Sequence, residues 1–175
     1  MAQFLISNGA MQTTAAFASV TTGTAIKTML QVKPSATLAM KILEWGYSFN
    51  SAAGSVSAKI ELIQTDVAAT VTAAVAADIM KYDALALLGG DPTTNLIQVG
   101  TTATGYTSTS EGSITAVRNL DAPQYETIST AFAAKYSKQF PLGREPIVEI
   151  SKFARIRVTL TTTAALMYCY LLVEV

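Results

Sequence analysis

The sequence predicts an all-β fold: an antiparallel two-sheet sandwich of jelly-roll type, entered through an extended N-terminal arm. Three observations lead there. Apolar residues recur at period two in several separate stretches, the signature of half-buried strands. Those stretches are rich in Val, Ile, Thr and aromatic residues, which suit a pleated surface better than a helix bundle. Turns containing Gly, Pro and Ser divide them at irregular spacing, giving about eight strands joined by long connections.

Residues 1–24 mix short apolar pieces with Thr, Ser and Gly ("TTAAFASVTTGT") and read as the arm, with Phe4, Leu5 and Ile6 as residues that reach a neighbouring subunit. Residues 25–175 form a single domain. "AIKTMLQV" is a first strand, closed by Lys33-Pro34-Ser35. In "LAMKILEWGYSF" the residues Leu43, Trp45, Tyr47 and Phe49 share one face, and in "VSAKIELIQT" so do Val56, Ala58, Ile60 and Leu62. With "NSAAGS" as the turn between them, Met40–Phe49 and Val56–Gln64 are expected to pair as a hairpin.

The middle of the chain is less patterned. A short strand near 69–75 is expected, followed by a loop or a single helical turn. "LLGGDPTTN" reads as a turn, "GTTATGYTSTSEGS" as a long polar loop and "SITAVRNL" as a strand. Residues 121–140 are loop with one short element. In "PLGREP", Pro141 and Pro146 each fix φ and withhold an N–H, while Gly143 permits a tight reversal. Pro146 also biases Glu145 towards extended backbone, so the turn launches a straight strand. "FARIRVTL" then alternates Ala154, Ile156, Val158 and Leu160 with Phe153, Arg155, Arg157 and Thr159. "ALMYCYLLVEV" closes the chain as a strand so apolar that both of its faces are expected to be covered.

Composition narrows the function. The chain has 175 residues, half of them hydrophobic and 14% charged, which is one domain with a substantial core. Lys plus Arg equals Asp plus Glu at 12 each, so the electrostatic footprint of a nucleic-acid binder is missing. Cys169 is the single cysteine, which precludes an intrachain disulfide and suits a reducing compartment. The opening "MAQFLISNGA" lacks the basic segment of a signal peptide, and the apolar run Ala164–Val173 is half the ~20 residues a membrane-spanning helix needs. A soluble protein made in the cytoplasm is expected.

The sequence contains no histidine, so Ser-His-Asp and Cys-His nucleophilic sites and imidazole zinc ligands are excluded. Cys169, between Tyr168 and Tyr170, is expected to be an inert buried thiol. Asp66, Asp78, Asp83 and Asp91 lack the spacing of a calcium loop and read as solvated acids. Glu44, Glu61 and Glu149 sit at spacings that prescribe no acid/base pair. "LLGGDP" has no Gly-Lys-Ser/Thr and cradles no phosphate. No catalytic, cofactor or metal residue is therefore assigned. Trp45, Tyr47 and Phe49 read as core rather than as a sugar groove, and Tyr82, Tyr106, Tyr125 and Tyr136 are the aromatics a carbohydrate site could use. Arg144, Arg155 and Arg157 are the candidate charged anchors for a protein partner, because a guanidinium pairs bidentately with carboxylates.

Several segments together resemble a family. "KILEWGYSFNSAAGSVSAKIELIQTD", "KQFPLGREPIVEISKFARIRVTL", the closing "LLVEV" and the opening "FLISNGA…AAFASVTTGTAIKTMLQV" look like small virion proteins of tailed bacteriophages, over nearly the whole chain except about 67–110. The resemblance implies a jelly-roll-like capsid decoration (cement) protein without enzymatic activity. Its partners would be the major capsid protein and further copies of itself, often as trimers, and it would reside on the capsid surface. A tail or baseplate protein, or a carbohydrate- or receptor-binding jelly roll, is the alternative.

Overall fold

Main-chain pairing around the last strand organises the molecule. A computed structural model describes residues 2–52, 56–82, 96–123, 126–128, 135–160 and 162–175. Their strands are β1 (Gln3–Ser7), β2 (Val20–Thr21), β3 (Ile26–Pro34), β4 (Met40–Ala52), β5 (Val56–Thr65), β6 (Thr70–Ala73), β7 (Ile79–Lys81) and β8 (Ile97–Gln98). They continue with β9 (Gly105–Ser110), β10 (Val117–Asp121), β11 (Glu126–Ile128), β12 (Lys135–Gln139), β13 (Ile147–Val148), β14 (Phe153–Thr159) and β15 (Ala165–Glu174). A seven-stranded sheet runs β12-β4-β15-β1-β7, with β13 on β4 and β2 on β15. An eight-stranded sheet runs β10-β5-β14-β3-β9-β6, with β11 on β5 and β8 on β3. The two antiparallel sheets pack as a sandwich, as the alternation predicts, and the long strands β3, β4, β5 and then β13, β14, β15 change sheet at each step.

The inner faces make one core. From the seven-stranded sheet come Phe4, Ile6, Met40, Ile42, Trp45, Tyr47, Phe49, Met167, Cys169, Leu171 and Val173; the other contributes Leu30, Val32, Ile60, Leu62, Ala154, Ile156 and Val158. Burial of each large aliphatic side chain is worth about 1.5–3 kcal/mol against exposure. Cys169 is fully buried, and that burial pushes its thiol well above the ordinary value, as expected of an inert cysteine.

Three expectations are corrected. Met40–Phe49 and Val56–Gln64 are not a hairpin: β4 and β5 lie in different sheets. Their apolar faces meet across the core, and matched alternation satisfies that arrangement as well as it satisfies pairing within a sheet. In β4 the buried set is Met40 and Ile42, then Trp45, Tyr47 and Phe49, because a bulge at Leu43 resets the pleat against β15. Leu43 itself turns outward and is half-buried. "GTTATGYTSTSEGS" is not all loop, since Gly105–Ser110 pairs with both β3 and β6; Thr and Tyr favour strands even where no apolar alternation shows.

The third correction concerns the N-terminal arm. Gln3–Ser7 is an interior strand, paired with β15 on one side and β7 on the other. Asn8 extends the pairing: its amide nitrogen donates to the Met167 carbonyl at 3.0 Å, and its side-chain oxygen accepts from the Cys169 N–H at 2.9 Å. Val20–Thr21 returns to the same strand. The apolar piece "QFLIS" in its polar setting therefore marks an interior strand of this chain's own sheet. The strand near 69–75 is β6, a single 3-10 turn follows at Ala76–Asp78, and β14 and β15 have nearly the expected bounds. Residues 121–140, by contrast, hold two short strands among those described, β11 and β12, where one element is expected, and the strand launched by the proline turn, β13, is two residues long. "LLGGDPTTN", Asp83, Asp91 and Tyr125 lie outside the described residues.

Polar side chains tie the layers together. Asp121, at the end of β10, accepts from Trp45 Nε1 at 3.0 Å, Tyr136 Oη at 2.9 Å and Lys138 Nζ at 3.1 Å, so it links one sheet to β4 and β12 of the other. Replacing Asp121 with Ala strands the buried indole N–H. We expect a loss of about 1–3 kcal/mol of stability and a red shift in the emission of Trp45, the single tryptophan, both read in one urea titration. Asp66 holds the loop before β10: Thr115 Oγ1 and the N–H groups of Thr115 and Ala116 donate to it. Those bonds lower its carboxyl from 3.8 to about 2. A lowered folded-state value means the tether is fully present above about pH 3.8 and is lost as pH falls through about 2. Carbon-detected NMR titration of the Asp66 carboxyl should show that low midpoint, and a midpoint at the ordinary aspartate value would contradict it.

Candidate interaction surface

The outer face of the seven-stranded sheet carries a row of side chains set by register. Glu44 on β4 lies beside Leu172 on β15, Leu172 beside Leu5 on β1, and Leu5 beside Met80 on β7. In the next row Tyr170 lies between Gly46 and Ser7. The strict alternation of β15 buries Met167, Cys169, Leu171 and Val173 inward and turns Leu166, Tyr168, Tyr170 and Leu172 outward. That outward set is half-buried or exposed, so the second face of β15 is not covered by this chain, contrary to the expectation of burial on both faces.

Gly46 explains how Tyr170 is held. A Cβ at Gly46 would lie 2.7 Å from the Tyr170 ring and 2.8 Å from the Tyr136 carbonyl, so only glycine lets the ring lie against the sheet. The ring's hydroxyl then donates to Glu44 Oε1. Burial, together with this bond to a carboxylate, raises the Tyr170 phenol well above its ordinary value, so it stays a donor throughout the physiological range. Tyr168 packs edge-on against Phe17 at 5.0 Å and lies 6.0 Å from Tyr170. Leu5, Glu44, Tyr82, Tyr168, Tyr170 and Leu172 enclose a cleft of about 230 Å³, and Tyr82 stands 59% exposed at its rim.

The proline turn lies on the same face. Arg144 N–H donates to the Pro141 carbonyl at 2.9 Å, closing a turn whose third residue, Gly143, has φ of +80°. Phe140 N–H to Leu43 O and Ile42 N–H to Pro146 O, both 2.9 Å, clamp the two ends to β4. Leu142, at the tip, is 97% exposed. A second hollow of about 330 Å³ separates the turn from the sheet, bordered by Gln3, Lys41, Leu43, Phe140 and Leu142. The Glu145 carboxyl is held below its ordinary value by the N–H groups of Glu145 itself and Gly143, so it stays ionised beside the exposed Arg144.

The residues expected to anchor a partner separate into two groups. Arg144 is exposed, and Leu5 lines the cleft. Arg155, Phe4 and Ile6 are corrected: all three are buried in this chain. Alternation places Arg155 on the outer face of its sheet, but the segments around Val67 and Glu111 cover that face. Its Nε and Nη2 donate to Thr28 Oγ1 at 2.9 and 2.6 Å, Nη1 donates to the Glu111 carbonyl at 3.2 Å, and Nη2 pairs with the Glu111 carboxylate. Burial pulls the guanidinium below its ordinary value and Glu111 partly offsets it. Arg157 is also engaged, its Nε and Nη2 at 3.0 and 2.8 Å from Glu61 Oε2, while Lys59 sits 2.8 Å from Oε1. Burial pushes the Glu61 carboxyl up, but the two cations outweigh it and hold it low.

Sequence reasoning missed Leu142, Tyr168, Tyr170 and Leu172. The available signals were an apolar residue at the tip of a proline-bracketed turn and aromatics on the non-core phase of the last strand. Of the other tyrosines considered, Tyr136 is half-buried and stacks on Tyr47 at 5.5 Å, while Tyr106 is half-buried in β9. No group of three or more Cys, Asp or Glu residues with metal-binding geometry occurs among the described residues. No family model matches the chain, and no curated protein or solved structure is significantly similar to it.

These placements set apart two arginines that look alike in the sequence. Arg155→Ala leaves Glu111 near-buried without its cation and should lower unfolding free energy by about 3–5 kcal/mol, whereas Arg144→Ala should change it by less than about 0.5 kcal/mol. Chemical denaturation of the two variants decides the point.

Proposed function

We propose that the protein is a non-enzymatic structural protein of a tailed-bacteriophage particle, acting as a decoration (cement) protein on the major capsid protein lattice. The observation that carries the reading is the outer face of the seven-stranded sheet, where tyrosines and leucines stand half-exposed beside a rigid turn bearing Leu142 and Arg144. Aromatic and Arg-bearing surfaces of this kind are what protein interfaces are enriched in. A formally neutral chain adds little repulsion between crowded copies. The resemblance of the "EWGYSF", "PLGREP" and "RIRVTL" segments to phage virion proteins supplies the biological setting.

A second reading has its own support. A cleft lined by Tyr82, Tyr168 and Tyr170 with a carboxylate at one wall is also suited to a saccharide, as in a receptor-binding module of a tail.

Purified protein incubated with phage heads lacking it should bind saturably and raise the temperature at which the heads release DNA. Arg144→Ala should weaken that binding by about tenfold or more if the guanidinium pairs with a desolvated carboxylate. Failure of the unmodified protein to bind heads would reject the decoration role, and saturable binding to tails instead would assign it to the tail.

A further inference from the structure

The turn and the cleft are complementary to each other, yet within one chain they do not meet: Leu142 borders the hollow against Leu43 and Phe140 and is absent from the cleft lining. We propose that the cleft is filled by a second copy of this chain, with Leu142 inserted against Tyr82 and Tyr170 and Arg144 placed against Glu44, each copy doing this to the other.

Four observations carry this. Among the described residues Leu142 is the most exposed large apolar side chain, and its turn is fixed by three main-chain hydrogen bonds and two prolines, so little conformational freedom remains to be lost on docking. The cleft offers apolar and aromatic walls from Leu5, Leu172, Tyr168 and Tyr170 at the size of a few side chains, about 230 Å³. The charges match: Glu44 accepts from Tyr170, yet no ion pair to Glu44 or Arg144 occurs among the described residues. Finally, turn and cleft belong to one face of one sheet: Gln3, Lys41 and Leu43 border the hollow under the turn, and Leu5, Glu44 and Leu172 line the cleft, all on the non-core side of β1, β4 and β15. A two-fold axis normal to neither strand but lying along that face would engage both sites at once, closing the pair instead of starting an open chain.

The inference rests on reading this face as an interface. Leu142 and Arg144 engaged by a second copy are not free for a head, so dimerisation competes with head binding through this face, and its test does not involve phage heads. A dimer in solution that ignores heads would defeat the decoration role alone, and a monomer that still coats heads would defeat this proposal alone. The full chain should sediment at twice its mass of 18.5 kDa at concentrations of about 100 µM. Leu142→Asp should raise the dimer dissociation constant about tenfold or more, with circular dichroism and Trp45 emission unchanged because the position is fully exposed. Since Cys169 is buried, Leu142→Cys protein mixed with Tyr82→Cys protein under oxidation should give a disulfide-linked pair containing one of each. A monomeric wild type at that concentration, a dimer that survives Leu142→Asp, or no mixed disulfide would overturn the proposal. So would a monomer whose Tyr82 and Tyr170 NMR signals shift on adding an oligosaccharide, which would give the cleft to a sugar.

Discussion

Everything in this sandwich depends on β15 being paired along its whole length. On one side β4 runs beside it from Ala52 to Lys41; on the other, β1 covers Tyr170–Glu174 and β2 covers Leu166–Met167. Asn8 bridges the gap between those two, its backbone N–H donating to the Cys169 carbonyl while its side chain donates to Met167 and accepts from Cys169. A strand with one fully buried face cannot leave N–H and C=O groups unmatched without a cost comparable to the hydrogen bonds lost. Residues far apart in the chain are therefore committed to each other: Ala2 and Val175 exchange hydrogen bonds in both directions, at 2.9 and 3.0 Å.

Because the centre of one sheet is fixed in this way, the periphery can differentiate. The eight-stranded sheet covers its own outer face, which is why Gln31, Thr28 and Arg155 are buried there and fully hydrogen-bonded. The seven-stranded sheet leaves its outer face open. There the bulge at Leu43 redirects one leucine outward, Gly46 makes room for the Tyr170 ring, and the proline turn rises beside both. Polar closure on one side and aromatic exposure on the other make the two outer faces of the sandwich chemically unlike.

How much of this was legible in the sequence follows from what alternation encodes. Period two says which residues share a face, and it placed Ala154, Ile156 and Val158 in the core correctly. It does not say what lies opposite that face. Hence β4 and β5 looked like a hairpin when they face each other across the core, and Arg155 looked like an exposed anchor for a partner when loop segments cover it. Nor does local sequence report strand order, so "QFLIS" could be taken for an arm although it is an interior strand. The proline turn was legible because Pro and Gly constrain φ directly. The surface role of Leu142 was not, because exposure of an apolar residue is decided by what fails to pack on it.

The pairing of the first strand with the last also governs how the protein comes into being. During synthesis β1 is made before both of the neighbours that bury it, β7 and β15, and β15 follows it by more than 150 residues. Until then an unpaired apolar edge is exposed on the nascent chain, and contacts of such long sequence separation form slowly. Native pairing of β1 therefore waits until β15 has been made, and a product truncated before residue 165 lacks the strand on which both halves of its sheet are built. Translation through β15 is thereby a condition of a closed sheet, since until that strand is made β1 keeps an edge open to proteases and to its neighbours.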